Sequence, residues 1–83
     1  MKFNVVSNYE SPYNSHSKIC ATCNTKEEAL YVMEESAKFA VVYAEEKMGY
    51  TLSGYKEFLD MTAMKFDMQD GDFILYVLSV AEN

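Results

Sequence analysis

Apolar residues recur every three or four positions between Thr25 and Met48, which is the spacing of one face of an α-helix. The centre of this stripe is formed by Ala29, Met33, Ala37, Ala40 and Ala44. Larger residues widen it, through Leu30, Val41 and Met48 on one side and Val32, Phe39 and Tyr43 on the other. Small side chains at the centre indicate a helix that lies close on a sheet, with larger side chains sealing its rim.

Both ends of this helix carry recognisable signals. Thr25 is a good N-cap residue, and Glu28 three positions later completes a capping-box pattern. Glu27 and Glu28 place negative charge at the positive end of the helix dipole. Gly49 is a natural stop, because glycine readily takes the left-handed conformation that often follows a helix. The sequence therefore predicts one continuous helix from Thr25 to Met48.

Two stretches before the helix alternate between apolar and polar residues, as strands with one buried face do. They cover residues 3–7 and 18–24, and the second would place Ile19, Ala21 and Cys23 on one face. The segment between them is rich in turn residues and contains the only proline. We expect an N-terminal hairpin with a broad loop.

A second hairpin is predicted around Asp70-Gly71, a pair typical of two-residue turns between strands. The alternation would pair Met68 with Phe73, Phe66 with Leu75 and Met64 with Val77, on the face toward the helix. The other face of the last strand would carry Ile74, Tyr76, Leu78 and Val80. One helix cannot cover both faces of a sheet, so we expect these four residues to be covered by a second copy of the chain or by the segment around Phe58.

The segment after the helix is ambiguous. Tyr55, Phe58 and Leu59 fit one face of a short helix. Ser53 would cap such a helix, but Gly54 would weaken it. Whether this segment is helical stays open.

The expected fold is α+β with the element order ββαββ, in which one long helix packs across one face of a mostly antiparallel four-stranded sheet. Residues 1–83 form a single domain, because a chain of 83 residues has no room for a second core.

Charge and composition narrow the range of functions. Thirteen acidic residues against seven basic residues give a net charge of −6, which repels a nucleic-acid backbone. Direct DNA or RNA binding is therefore not expected, and a partner with a basic surface is; alternatively, the charge serves solubility alone. No apolar run reaches the roughly 18 residues of a membrane span. The first residues lack the features of a secretion signal, so we expect a cytoplasmic protein.

No arrangement of residues points to catalysis. His16 is the only histidine, and the serines beside it would point away from it in an extended chain. Cys20 and Cys23 form a single CxxC motif without a second pair, in a stretch that reads as a strand. We expect two reduced thiols, with Cys23 packed inward and Cys20 outward. The sequence predicts no enzyme, no cofactor and no metal site.

Glutamate pairs recur along the predicted helix at Glu27-Glu28, Glu34-Glu35 and Glu45-Glu46. Successive pairs are seven and eleven residues apart, which is close to two and three helical turns. The first glutamates of the three pairs therefore form one ridge along the helix, and the second glutamates form another. Tyr31 and Val42 lie between the ridges, and tyrosine is favoured at interfaces because it buries a large area at low entropic cost. The predicted recognition surface comprises Tyr31, Glu34, Glu35, Lys38, Val42, Glu45 and Glu46.

These features favour a non-enzymatic binding protein that blocks a basic, nucleic-acid-handling partner through its acidic helix face. Small acidic chains without catalytic groups are frequent among phage-encoded inhibitors, including anti-CRISPR and DNA-mimic proteins, and we expect an inhibitor or modulator on this analogy of size and charge. The alternatives are a homodimeric structural module that associates through its C-terminal strand, and an oligomer that sequesters a small ligand.

Overall fold

A computed structural model describes residues Met1–Asn83, which form one helix and a five-stranded sheet. The elements are β1 (Phe3–Glu10), β2 (Ser15–Cys23), α1 (Lys26–Glu46), β3 (Thr51–Glu57), β4 (Met61–Asp67) and β5 (Phe73–Glu82). The strand order is β2-β1-β5-β4-β3, and all neighbouring strands are antiparallel. Helix α1 packs on one face and contacts every strand. The α+β class is confirmed, but the predicted four-stranded ββαββ order is wrong, because the order is ββαβββ.

The strand missing from the predicted fold is β3, which lies in the segment with the ambiguous pattern. Leu52 pairs with Phe66 of β4, and a bulge separates Leu52 from Gly54. A bulge interrupts the two-residue alternation by which a strand is recognised in a sequence. Phe58 and Leu59, which fitted the face of a short helix, lie beyond β3 and are exposed.

Helix α1 begins at the predicted cap, Thr25, but ends at Glu46, two residues before the predicted Met48. The Thr25 hydroxyl accepts a hydrogen bond from the N–H of Glu28 at 3.1 Å. At the other end Gly49 has a φ of 71°, and the N–H of Tyr50 donates to the carbonyl of Ala44 at 2.9 Å. The residues that α1 buries against the sheet are Ala29, Met33, Ala37 and Ala44. The structure contains no helix whose length and apolar character would allow it to cross a membrane.

The turn between β4 and β5 is one residue longer than predicted. The N–H of Met68 donates to the carbonyl of Asp72 at 2.8 Å, which leaves residues 69–71 as the loop. Phe66 therefore pairs with Ile74 rather than with Leu75. Because successive residues of a strand point to opposite faces, this shift of one residue moves every side chain of β5 to the other face.

The predicted orientation of β5 is consequently wrong. Ile74 and Leu78 are buried, and Tyr76 and Val80 pack partly buried on the helix side of the sheet. These four residues belong to the core layer and do not form the exposed surface expected for self-association. The open face of β5 instead carries Phe73, Leu75 and Val77.

The first hairpin also differs from its prediction. Its loop covers only residues 11–14, because β1 and β2 extend further than the alternation indicated. Val5 pairs with Ala21, whereas Val6 pairs with Ile19, so a bulge lies at Cys20. Ile19 is therefore exposed on the face opposite Ala21, and the prediction that the two share a face is wrong. The predicted burial of Cys23 and exposure of Cys20 are confirmed, and both thiols are free.

Candidate functional site

The outer side of α1 carries the predicted glutamate ridges on an unbroken helix. All six carboxylates are exposed, at Glu27, Glu28, Glu34, Glu35, Glu45 and Glu46. The helix has 21 residues, and at about 1.5 Å per residue it spans about 32 Å. The ridges therefore run along nearly the whole length of the helix.

Only one of these carboxylates has a cationic partner within the chain. Lys38 Nζ lies 3.6 Å from Glu34 Oε1, one helical turn away. Both side chains are exposed, so the pair contributes at most about 1 kcal/mol to stability. The other ridge carboxylates make no salt bridge, so their negative charge remains directed toward solvent.

Tyr31 and Val42 lie on the outer side of α1 with 63% and 51% of their surface exposed. Neither side chain contributes to the core between α1 and the sheet. The structure thus brings all seven predicted partner-binding residues, from Tyr31 to Glu46, onto one continuous helix face. They form an acidic surface with apolar residues in its middle.

A groove that the sequence analysis did not identify lies beside the same helix and has a volume of about 600 Å³. Ligand pockets in proteins commonly measure about 300–1,000 Å³. The wall on the helix side includes Tyr31, Glu35, Phe39 and Tyr43, which are spaced four residues apart. Further lining residues on this side are Val32, Ser36, Ala40, Ala44 and Met48. The sheet side is lined by Tyr9, Lys18, Cys20, Ile74 and Tyr76.

The path of α1 across the sheet explains this groove. The helix follows β2, which is one edge strand, and leads into β3, which is the other edge strand. A helix that crosses the sheet diagonally leaves two opposite corners less covered, and one of them lies where Glu10 of β1 pairs with Ser15 of β2. At that corner the rings of Tyr9 and His16 stack with centroids 4.9 Å apart.

Two aromatic side chains stand at the mouth of the groove. Phe39 and Tyr43 are 69% and 49% exposed, although the sequence pattern predicted that they seal the rim of the helix. They lie at the margin of the apolar stripe, too far around the helix to reach the sheet. Large contiguous patches of exposed apolar surface often mark interaction sites, whereas single exposed apolar residues are common. The spacing of Phe39 and Tyr43 on the helix fits a sealed rim as well as the wall of a groove, so no signal in the sequence reveals the groove.

The groove is apolar with a few polar groups. Lys18 lies on the sheet side and Glu35 on the helix side. Tyr76 forms part of the floor, and its pKa is raised, mainly by burial and less by the nearby Cys20 thiol. A tyrosine phenol is in any case neutral at physiological pH, so Tyr76 can donate or accept a hydrogen bond there. No three His, Cys, Asp or Glu side chains lie close enough together to hold a metal ion.

Comparison with models of known protein families, with curated proteins and with solved structures finds no match.

Proposed function

We propose that this chain is a non-enzymatic binding protein whose helix α1 docks its outer face on a basic surface of another protein. The observation that carries this proposal is the row of exposed carboxylates along α1, of which only Glu34 is paired within the chain. Lysine and arginine side chains of a partner could pair with the other carboxylates, because these have no salt-bridge partner within the chain. Charge complementarity of this kind speeds association and selects the partner.

The length of the acidic surface suggests the class of partner. Proteins that handle nucleic acids hold the phosphate backbone on elongated basic surfaces. A row of carboxylates about 29 Å long, from Glu27 to Glu46, would occupy such a surface in place of phosphates. We therefore propose an inhibitor or modulator of a nucleic-acid-handling protein.

Tyr31 and Val42 would supply binding energy that the charged residues alone do not. An exposed ion pair contributes little affinity, because desolvation and side-chain ordering offset most of the attraction. An aromatic ring that becomes buried at the centre of an interface is a common source of binding energy. The two apolar residues would provide that centre, with the glutamates forming a charged surround.

Affinity capture with matched variants tests the proposal. The helix variant carries Glu34→Lys, Glu35→Lys, Glu45→Lys and Glu46→Lys. The control variant carries Glu10→Lys, Asp60→Lys, Asp67→Lys and Glu82→Lys, at exposed positions outside α1. Both variants change the net charge equally, so only the location of the change differs.

We expect the native chain and the control variant to capture the same basic protein from cells of the source organism, and the helix variant to lose it. Circular dichroism verifies that both variants are folded. Loss of capture by both variants alike would indicate an effect of net charge only, and retention by the helix variant would exclude α1 as the interface.

A second candidate function is self-association through the open face of the sheet. Ile19, Phe73 and Leu75 are exposed there, and Val6 and Val77 are partly buried beside them. These residues form an apolar surface across β2, β1 and β5, which α1 cannot cover from the other side. Sedimentation at high micromolar concentration would show a dimer that Leu75→Lys dissociates. A strict monomer would eliminate this candidate.

A further inference from the structure

We propose that the groove beside α1 receives a large apolar side chain of the same partner that binds the acidic face. The partner's recognition element is then a basic segment with an aromatic or long aliphatic anchor residue. This inference rests on the proposed function and specifies the partner's chemistry.

The groove and the acidic face are continuous. Tyr31 and Glu35 line the groove, and both also belong to the outer surface of α1. A segment lying along the outer face would therefore reach the mouth of the groove without a gap. A side chain directed from that segment toward the sheet would enter between Phe39 and Tyr76, which stand on opposite sides of the groove.

The charges around the groove favour a cationic segment. Glu28, Glu35 and Glu46 form the ridge of α1 nearest to the groove, and all three are exposed. Lys18 is the only cationic residue that lines it. An acidic peptide would meet repulsion along the whole ridge, whereas lysine and arginine residues that flank an anchor would pair with it.

The apolar lining favours an aromatic or aliphatic anchor. Ile74 and Phe66 are buried at the base of the groove, and Phe39 and Tyr43 extend its wall into solvent. A side chain placed there would remove apolar surface from water on both sides of the contact. Burial of a single such anchor commonly accounts for much of the affinity of an interface. We expect the anchor to lower the dissociation constant by about tenfold or more.

Three synthetic peptides separate the roles of charge and anchor. The first has lysines on both sides of a central tryptophan, the second has alanine in place of the tryptophan, and the third keeps the tryptophan but replaces the lysines with glutamines. Each is titrated into the full-length isotope-labelled chain. Calorimetry measures the dissociation constant, and nuclear magnetic resonance locates the contact.

We expect the lysine–tryptophan peptide to bind about tenfold or more tightly than the lysine–alanine peptide. Only the tryptophan peptides should shift the amide signals of Cys20 and Tyr76. The glutamine peptide should bind weakly, because it lacks the partners of the acidic ridge.

Protein variants provide the controls. Phe39→Ala should abolish the preference for tryptophan over alanine. Phe58→Ala removes a ring that is similarly exposed but lies far from the groove in sequence and outside its lining, so it should leave the preference unchanged. Glu34→Lys with Glu45→Lys alters the ridge remote from the groove, and should weaken both lysine peptides by the same factor.

The possible results separate this inference from the proposed function. Equal, salt-sensitive binding of the two lysine peptides would overturn the anchor site and leave the acidic surface supported. Binding of the glutamine peptide as tightly as the lysine–tryptophan peptide would overturn the basic character of the segment and the proposed function with it. Failure of the lysine–tryptophan peptide to bind, or signal shifts confined to the open face of the sheet, would overturn the inference.

Discussion

The rings of Phe39 and Tyr43 stack one helical turn apart on the groove side of α1, with centroids separated by 6.0 Å and planes inclined by 25°. Pairs spaced four residues apart in a helix support each other, and aromatic pairs favour offset stacking. The two rings therefore form a wall that exists before any partner binds. Helix α1 thus has two patterns, an alanine stripe that packs on the sheet and an acidic and aromatic face that is exposed to solvent.

Because α1 lies close to the sheet, we expect larger side chains in the alanine stripe to destabilise the protein. Ala37 is fully buried at the centre of the contact. Ala37→Leu should lower the free energy of unfolding by about 1–3 kcal/mol, because extra methyl groups would push the helix off the sheet. Glu35→Leu, at an exposed position nearby that makes no salt bridge, should change it by less than about 0.5 kcal/mol. Equal effects in urea denaturation would contradict this packing.

The two glycines with positive φ predict unequal costs of substitution. Gly49 and Gly71 have φ values of 71° and 94°, so Gly→Ala at either position should cost about 1–2 kcal/mol. A Cβ at position 49 would also lie 2.5 Å from Nε2 of Gln69, so this flexible side chain would have to move and lose the hydrogen bond that it donates to the Gly49 carbonyl. A Cβ at position 71 would meet no atom within 4 Å. Thermal unfolding should therefore show a larger loss for Gly49→Ala than for Gly71→Ala, and the reverse order would refute the placement of Gln69.

The raised pKa of Tyr76 predicts a loss of stability in alkali. Burial is the main cause of the shift, so the folded protein holds this proton more tightly than the unfolded chain, whose tyrosines ionise near pH 10. The contribution is fully present below about pH 10 and falls as the pH rises through the pKa of the folded state. Chemical denaturation between pH 9 and about 11.5 should show a shallower decline for Tyr76→Phe than for the native chain. Identical slopes would indicate that the surroundings of Tyr76 do not disfavour its ionised form.

The cysteines predict a simple difference in reactivity. Cys20 is exposed and Cys23 is buried. A thiol reagent should modify one cysteine rapidly in the folded protein and both in denaturant, because a buried thiol is inaccessible. Mass spectrometry of the digested protein identifies the modified residue. Rapid modification of Cys23 in the folded protein would contradict its burial in the core.

Local signals were sufficient to predict helix α1. The cap at Thr25, the alanine stripe and Gly49 all act within a few residues, so they indicate the same helix without knowledge of the rest of the fold. The acidic face was predictable for the same reason, because helical spacing alone brings Glu34 and Glu45 onto one ridge.

The wrong predictions lie at positions where one extra residue changes the pairing register of two strands. Asp70-Gly71 suits a two-residue turn and also a longer loop with glycine at its left-handed position, and the sequence does not distinguish them. The choice of the shorter turn reversed the faces of β5. Bulges at Cys20 and at Ser53 similarly broke the alternation in β2 and β3.

The groove depends on a property that no local pattern contains. It exists because α1 runs between the two edge strands and leaves the corner around Tyr9 uncovered, and that path follows from the order of all five strands. The predicted four-stranded sheet lacks β3, which is the edge strand toward which the helix runs. The error in strand number therefore concealed the groove as well.

The most direct test of the acidic face is the salt dependence of affinity for the captured partner, measured for the native chain, the helix variant and the control variant. If the carboxylates of α1 contact the partner's cations, the dissociation constant of the native chain and the control variant should rise steeply with salt concentration. The helix variant should bind more weakly at low salt and show little salt dependence. An affinity of the helix variant equal to that of the native chain, with the same dependence on salt, would contradict the role of α1 as the binding surface.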